Sequence, residues 1–368
     1  MSSSSLLNRS VIESSRLHRG YSPYRPDCLS PDSPDGNGIC DWTDGRALGM
    51  TSSTSAPSAT PWTEEQIPDQ RGRVAVVTGA NAGIGYVTAR ELARHGAHTV
   101  LACRDRSRGE AALARLRDEV PGARVELRLV DLADLGSVRA FADGWDHDRL
   151  DLLVNNAGIV MPPLTRTADG FEAQFGVNHL GTYALTGRLL PHLLRADTPR
   201  VVTVSSESQL TASFDLANLN AERRYRPSSA YAQSKRANVY FSAQLHRWAL
   251  AQGVPLRSVI AIPGMTDTGV ITKSTRYGAL WRAVVPRLVG LVAKPVVEGA
   301  RPSLYAATVP DLPGGSYVAP SGPLQIRGAT TVHRGRRTVY DEATAVALWN
   351  LSERLTKVRY ELSGARPD

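Results

Sequence analysis

The chain has 368 residues, 42% hydrophobic and 6% aromatic, with a formal net charge of +8. That length can bury one large core, so one folded domain plus a tail accounts for it. The basic excess is carried by 39 arginines against four lysines, scattered rather than gathered on one element with stacking aromatics, which argues against nucleic acid as a partner.

Residues 1–70 are dominated by Ser, Pro, Gly and Asp without apolar periodicity, and such a segment cannot offset its ordering entropy by burial. A disordered N-terminal extension is therefore expected over 1–70, a folded domain over 71–362 and a short tail over 363–368. Residues 1–72 hold six arginines against nine acidic residues, so the remainder carries +11 and the basicity belongs to the folded part. No apolar run of secretory-signal type follows the start. The Ser-rich, Arg-containing opening leaves a transit peptide open, and Met50 offers an alternative start. Cys28, Cys40 and Cys103 form no disulfide framework or ligand cluster, which fits a reducing cytoplasm. His179 and the other histidines show no ligand spacing, so no catalytic metal is expected.

The first element of the domain is the β-branched run Val74-Ala75-Val76-Val77-Thr78, which reads as a buried strand. It enters Gly79-Ala80-Asn81-Ala82-Gly83-Ile84-Gly85 and then a helical pattern from 86 to about 95. Strand, glycine turn and helix in that order suit a dinucleotide: the backbone approaches the pyrophosphate, which sits at the helix N-terminus. A second strand, 99–103, ends at Arg104, with Arg106 and Arg108 close behind. A carboxylate at this point would bond ribose hydroxyls, whereas a cation suits the 2′-phosphate of NADP, so NADP(H) is favoured and NAD(H) stays open.

Strands follow at 125–130, 150–154, 201–204 and 256–262, and a last one near Ser316-Tyr317-Val318, with helical segments between them. Such alternation predicts an α/β fold, a doubly wound parallel sheet of Rossmann type in one domain. Asn156, Ser206 and Pro263 each fall just past a strand's carboxyl end, which places them in one cleft. Asp131 reads equally as a helix cap, and Asn178 as a mid-helix polar residue. Between them and the last strand lies Tyr231-Ala232-Gln233-Ser234-Lys235. In a helix this spacing sets phenol and ammonium on one face, a turn apart. A cation there would stabilise the phenolate, supplying the base that an alcohol needs when it loses a hydride.

Taken together, Thr78 to Gly85, Asp131-Leu132, Asn155-Asn156-Ala157-Gly158, Asn178, Ser205-Ser206, Tyr231 with Lys235, and Pro263-Gly264 resemble the short-chain dehydrogenase/reductase family over residues 70 to 360. The resemblance implies a cofactor cradle of Gly79, Asn81, Gly83, Ile84 and Gly85, with Arg104 at the ribose. It puts Asp131 and Leu132 by the adenine and Asn156, Ala157 and Gly158 along the cofactor floor. Tyr231 would be the acid/base, and Lys235 would hold the nicotinamide ribose and depress the tyrosine's pKa. Ser206 would bond the substrate oxygen, and Asn178 would anchor the water of a proton relay. Pro263, Gly264 and Thr266 would face the carboxamide. The implied activity interconverts an alcohol and a carbonyl on an apolar small molecule; the alternative is a protein that senses NADP(H) without chemistry, which a complete tetrad disfavours.

Ser206 and Tyr231 lie 25 positions apart, and with Leu216 to Asn220 and Leu348 to Glu353 this is similar to the branch of retinol dehydrogenases and WW-domain oxidoreductases. That branch carries Leu where this chain has Arg236, and no tryptophan here sits in a WW-type module. The helix 231–252 is apolar most of the way round, and in the family it commonly builds an interface, so a homodimer or homotetramer is expected. Apolar positions at helical spacing in 266–293, flanked by Arg276, Arg282, Arg287 and Lys294, suggest a cover for the substrate and a weak membrane-surface contact, but no spanning helix.

Overall fold

The computed structural model describes residues 61–264, 295–333 and 340–362. Eight strands form one sheet in the order β3-β2-β1-β4-β5-β6-β7-β8. They are β1 Val74–Thr78, β2 His98–Cys103, β3 Val125–Leu129, β4 Leu152–Asn155, β5 Arg200–Val204, β6 Arg257–Ala261, β7 Tyr317–Pro320 and β8 Thr330–Val332. The first seven run parallel, and β8 alone pairs antiparallel, with Val318 opposite Val332. Strand order reverses between β1 and β4, which opens a crevice beyond their carboxyl ends.

Both faces of the sheet are covered at its centre, which is why β1, β4, β5 and β6 are almost wholly buried, while the edge strand β3 alternates as Val-Glu-Leu-Arg-Leu. Val77, Leu101, Val202 and Val259 face one core with Leu92 of α1 (Gly83–Arg94), Leu116 of α2 (Arg106–Glu119) and Leu304 of α6 (Val296–Thr308). Val76, Val100, Leu153 and Val201 face the other, against Phe141 of α3 (Leu135–Asp143), Leu189 of α4 (173–193) and Phe241 of α5 (Pro227–Ala251). The helices start where the sequence supplies caps. Asp105 accepts from Arg108 N, Asp134 from Gly136 N, and Pro227 occupies the first turn of α5. The last helix, α7 (Glu342–Thr356), is capped by Asp341 and ends at Lys357 in the left-handed conformation.

Three expectations change in detail. Residues 61–70, assigned by composition to the tail, pack on α6: Trp62 meets Tyr305 edge-on, Ile67 is buried and Glu64 pairs with Arg301. The antiparallel β8 has no counterpart in the predicted strands, because three half-buried residues carry no pattern to read. The side of α5 away from the sheet, which the expectation left to a second subunit, is met in part by α7 of the same chain. Residues 1–60 and 363–368 lie outside the described residues, as does the 266–293 segment.

Candidate active site

The crevice is built around Thr78. Its hydroxyl lies 3.3 Å from Val154 O and accepts from the backbone N–H groups of Asn156 and Ala157 at 3.0 Å each. The Asn156 amide donates in return to Thr78 O at 2.8 Å. The ends of β1 and β4 are thereby tied together on either side of the switch point.

The glycine loop is shaped by what cannot be there. Gly79 and Gly83 have φ of +67° and +58°, in the left-handed region. A Cβ on Gly85 would fall 2.4 Å from Asn156 Nδ2 and 2.5 Å from Gly79 O, so only glycine lets α1 close on the loop. With α1 starting at Gly83, its free N–H groups sit at the loop, the arrangement that holds a pyrophosphate. These residues fit a dinucleotide. Arg104, just past β2, is exposed and without a carboxylate partner among the described residues, while Arg106 pairs with Glu110. Asp131 follows β3; its carboxylate accepts from Ala133 N at 2.9 Å and closes a local turn, while Asp134 caps α3. Leu132 packs its carbonyl against Gly181, where a Cβ would come within 2.4 Å.

Asn178 sits in a π-turn, Gly176–Gly181, inside α4. Such widened turns recur at functional sites, and here Asn178 is fully buried. Its Oδ1 accepts from Ile159 N at 2.8 Å, and its amide donates to Ile159 O at 3.0 Å and to Ser234 Oγ at 2.9 Å. Ser234 donates onward to Tyr231 O. Both amide protons are therefore spent on bracing the β4 loop against α5. A Cβ on Gly158 would lie 3.1 Å from Asn178 Oδ1 and 3.3 Å from Lys235 Nζ, which places those two groups side by side.

Tyr231 and Lys235 face the crevice from α5, with Ser206 opposite at the end of β5. Lys235 is buried, donates to Val204 O at 3.2 Å, and has Nζ 5.9 Å from the centre of the Tyr231 ring. Burial pushes the ammonium down to about 8, against the opposing pull of Glu207. The phenol is pushed up to about 12, first by burial and then by the Glu207 charge, with the Ser206 hydroxyl acting the other way. Burial is the first cause of both shifts, because both groups have lost water. The proximity of Tyr231 to Ser206 stands.

Glu207 went unread in the sequence. The Ser206 hydroxyl donates to its carboxylate at 3.1 Å and accepts from Ser208 N. Its one signal was an acidic residue next to the serine pair. Arg236, the departure from the branch pattern, is buried and donates from Nε to Gln209 O at 3.0 Å, so the guanidinium ties α5 to the turn carrying Ser206. Gln174 ties the loop after β4 to the start of α5 by accepting from Met161 N and donating to Tyr225 and to Pro227 O. Pro263 is buried, and Gly264, at φ +73°, packs against the carbonyl of Ile326. Thr266 lies outside the described residues.

The sheet order and crevice have counterparts among known proteins. The profile of the family described as short chain dehydrogenase matches residues 73–277. Human retinol dehydrogenase 12 is 38% identical over 303 residues, covering 81% of this chain and 90% of its own. Mouse polyprenol dehydrogenase is 40% identical, covering 79% and 85%. A crystal structure of an uncharacterised protein from Mycobacterium Paratuberculosis is 44% identical with a TM-score of 0.69, covering 82% of this chain and all of that one. The chain belongs to the short-chain dehydrogenase family, in its retinol dehydrogenase-like branch, and is an NAD(P)-dependent oxidoreductase acting on CH–OH groups.

Proposed function

We propose that the chain interconverts an alcohol and a carbonyl on an apolar small molecule with NADP(H), Tyr231 serving as acid and base. The observation that carries this is the convergence of Tyr231, Ser206 and Lys235 at one crevice, with Asn178 braced behind them. The dinucleotide, when bound, supplies or accepts the hydride. Gly79, Asn81, Gly83, Ile84 and Gly85 would hold its pyrophosphate, and Asn156, Ala157 and Gly158 its floor. Lys235 has one N–H on Val204 O, leaving two for ribose hydroxyls. Tyr231 gives its Oη proton to the carbonyl oxygen in reduction and takes it back in oxidation. Ser206 turns its hydroxyl from Glu207 toward that oxygen, and Asn178 keeps the path by which Tyr231 exchanges with solvent.

The exposed Arg104 favours NADP(H) over NAD(H). An apolar substrate is supported by exposed Met161 and Leu164 on the loop after β4, and by relatives named for retinol and polyprenol. A cytoplasmic protein assembling as a homodimer or homotetramer completes the reading; the assembly rests on the resemblance alone. Among the described residues no helix is long and apolar enough to cross a membrane. A screen of retinoid, isoprenoid and aliphatic alcohols and carbonyls with both cofactors should reveal turnover. Tyr231→Phe should cut it by at least about a hundredfold while cofactor titration is unchanged. Retained turnover in the pure variant would sink the mechanism, and cofactor binding with no turnover on any substrate would favour a sensor.

A further inference from the structure

The amino-terminal edge of the sheet, opposite the crevice, holds a cluster that the oxidoreductase chemistry does not use. His98 opens β2, Glu126 is the second residue of β3, and His147 lies in the loop after α3. The register sets Glu126 beside Val100, and His98, two residues before Val100, shares its face. That face is covered by α3, and the chain leaving α3 brings His147 down over the pair. His147 Nε2 stands 2.8 Å from Glu126 Oε1, and His98 Nε2 4.0 Å from the same oxygen. The two rings meet edge-to-face at 4.7 Å, and the three ligand atoms lie within 4.8 Å of one another. No spacing in the sequence announces this set, because its members come from three separate elements.

We propose that His98, Glu126 and His147 bind a borderline divalent cation such as Zn²⁺, at a site separate from the catalytic crevice. Two imidazole nitrogens and one carboxylate oxygen converging on a point form a donor set that suits this ion. The side chains are 20%, 32% and 19% exposed, enough to admit the ion and let water complete its shell. Arg128 competes for the place, with Arg124 also close enough to act on His98. Arg128 donates from Nε to the same Oε1 at 2.9 Å, to Gly144 O, and to Asp146, and its guanidinium lies over Trp145. Zinc would take over Oε1, or use the second Glu126 oxygen, while Arg128 keeps Asp146 and Trp145.

The site is the length of β2, roughly 16 Å, from the strand's carboxyl end, so the ion would not touch the reaction. It would instead fasten β2, β3 and the loop after α3 together in the folded state. The test uses full-length protein without a histidine tag, calorimetry with Zn²⁺ alone, and visible absorption with Co²⁺ alone. One saturable site is expected, with a Co²⁺ d–d band that Zn²⁺ abolishes. His98→Ala or His147→Ala should weaken binding at least about tenfold. Arg128→Gln, which frees Oε1, should tighten it. Zinc in hundredfold excess over its Kd should raise the folded-to-unfolded ratio roughly a hundredfold in the parent protein and far less in the histidine variants. Circular dichroism and unchanged oxidoreductase turnover verify that the variants fold. Absence of a saturable site, or an affinity that neither histidine change alters, would overturn the assignment.

Discussion

The Ser206 hydroxyl donates to Glu207, and the charge of that carboxylate pulls upward on both Tyr231 and Lys235, in the second case against the larger effect of burial. A negative charge beside a phenol disfavours phenolate, and beside an ammonium it favours the proton, so both effects carry one sign. Glu207→Gln should move the pH–rate profile for alcohol oxidation toward lower pH, by roughly one unit. A profile that stays in place would show the carboxylate to be a bystander. Arg104 can be tested by the same logic of local charge. Arg104→Asp removes a charge-assisted partner of a 2′-phosphate and offers an acceptor to a ribose hydroxyl. The preference for NADP(H) over NAD(H) should fall by about ten- to a hundredfold in Kd ratio. An unchanged ratio would remove Arg104 from the cofactor site.

Among the elements, the contact of α1 with the glycine loop leaves the least room for change. Gly85→Ala must move both Asn156 Nδ2 and the Gly79 carbonyl, or shift the helix, and both groups belong to the link between β1 and β4. Such overpacking costs about 1–3 kcal/mol, and it should lower the melting temperature and cofactor affinity together. A loss of stability with cofactor affinity intact would place the strain outside the cradle. Gly85 was legible beforehand because a turn between a β-branched run and a helix admits few residues. The central parallel strands were legible for a related reason: burial on both faces spells them as nearly continuous apolar runs. Thr78 shows where legibility stops. Its place in the motif could be read, but its hydroxyl bridge to Asn156 and Ala157 depends on which strand lies beside β1, and strand order is a property of the folded sheet. The same holds for Arg236, whose partner Gln209 lies on another element, and for the reach of Glu207 to Tyr231 and Lys235 on α5. The rise of the Tyr231 pKa follows from burial, which spacing along a helix does not convey.

Across the whole molecule, the active-site helix and the carboxyl-terminal helix are joined back to back. The π-turn that braces Asn178 toward the crevice carries His179 as the next residue, fully buried, with Nε2 2.7 Å from Ser352 Oγ on α7 and its ring stacked on Phe175. Behind it, Trp349 and Tyr360 meet Tyr183 edge to face, Phe241 stacks on Trp349, and the Tyr360 hydroxyl donates to Tyr183 O. The turn carrying Asn178 is thus held in place by α7 and Tyr360, and protons have a route to undoing it. Burial drives His179 down to about 3, far below its ordinary 6.5, so the native state keeps it neutral while the unfolded chain takes up a proton. Below pH 6.5 the unfolded state therefore binds more protons, and stability must fall as pH falls, continuing toward pH 3. The slope for one such group is about 1.4 kcal/mol per pH unit, or roughly 2–3 kcal/mol between pH 6.5 and 4.5. Urea denaturation across that range should show the loss in the parent protein. His179→Gln, less stable at pH 7 for want of a good fit, should show a curve flatter by that amount, and parallel curves would mean that acid enters the fold elsewhere.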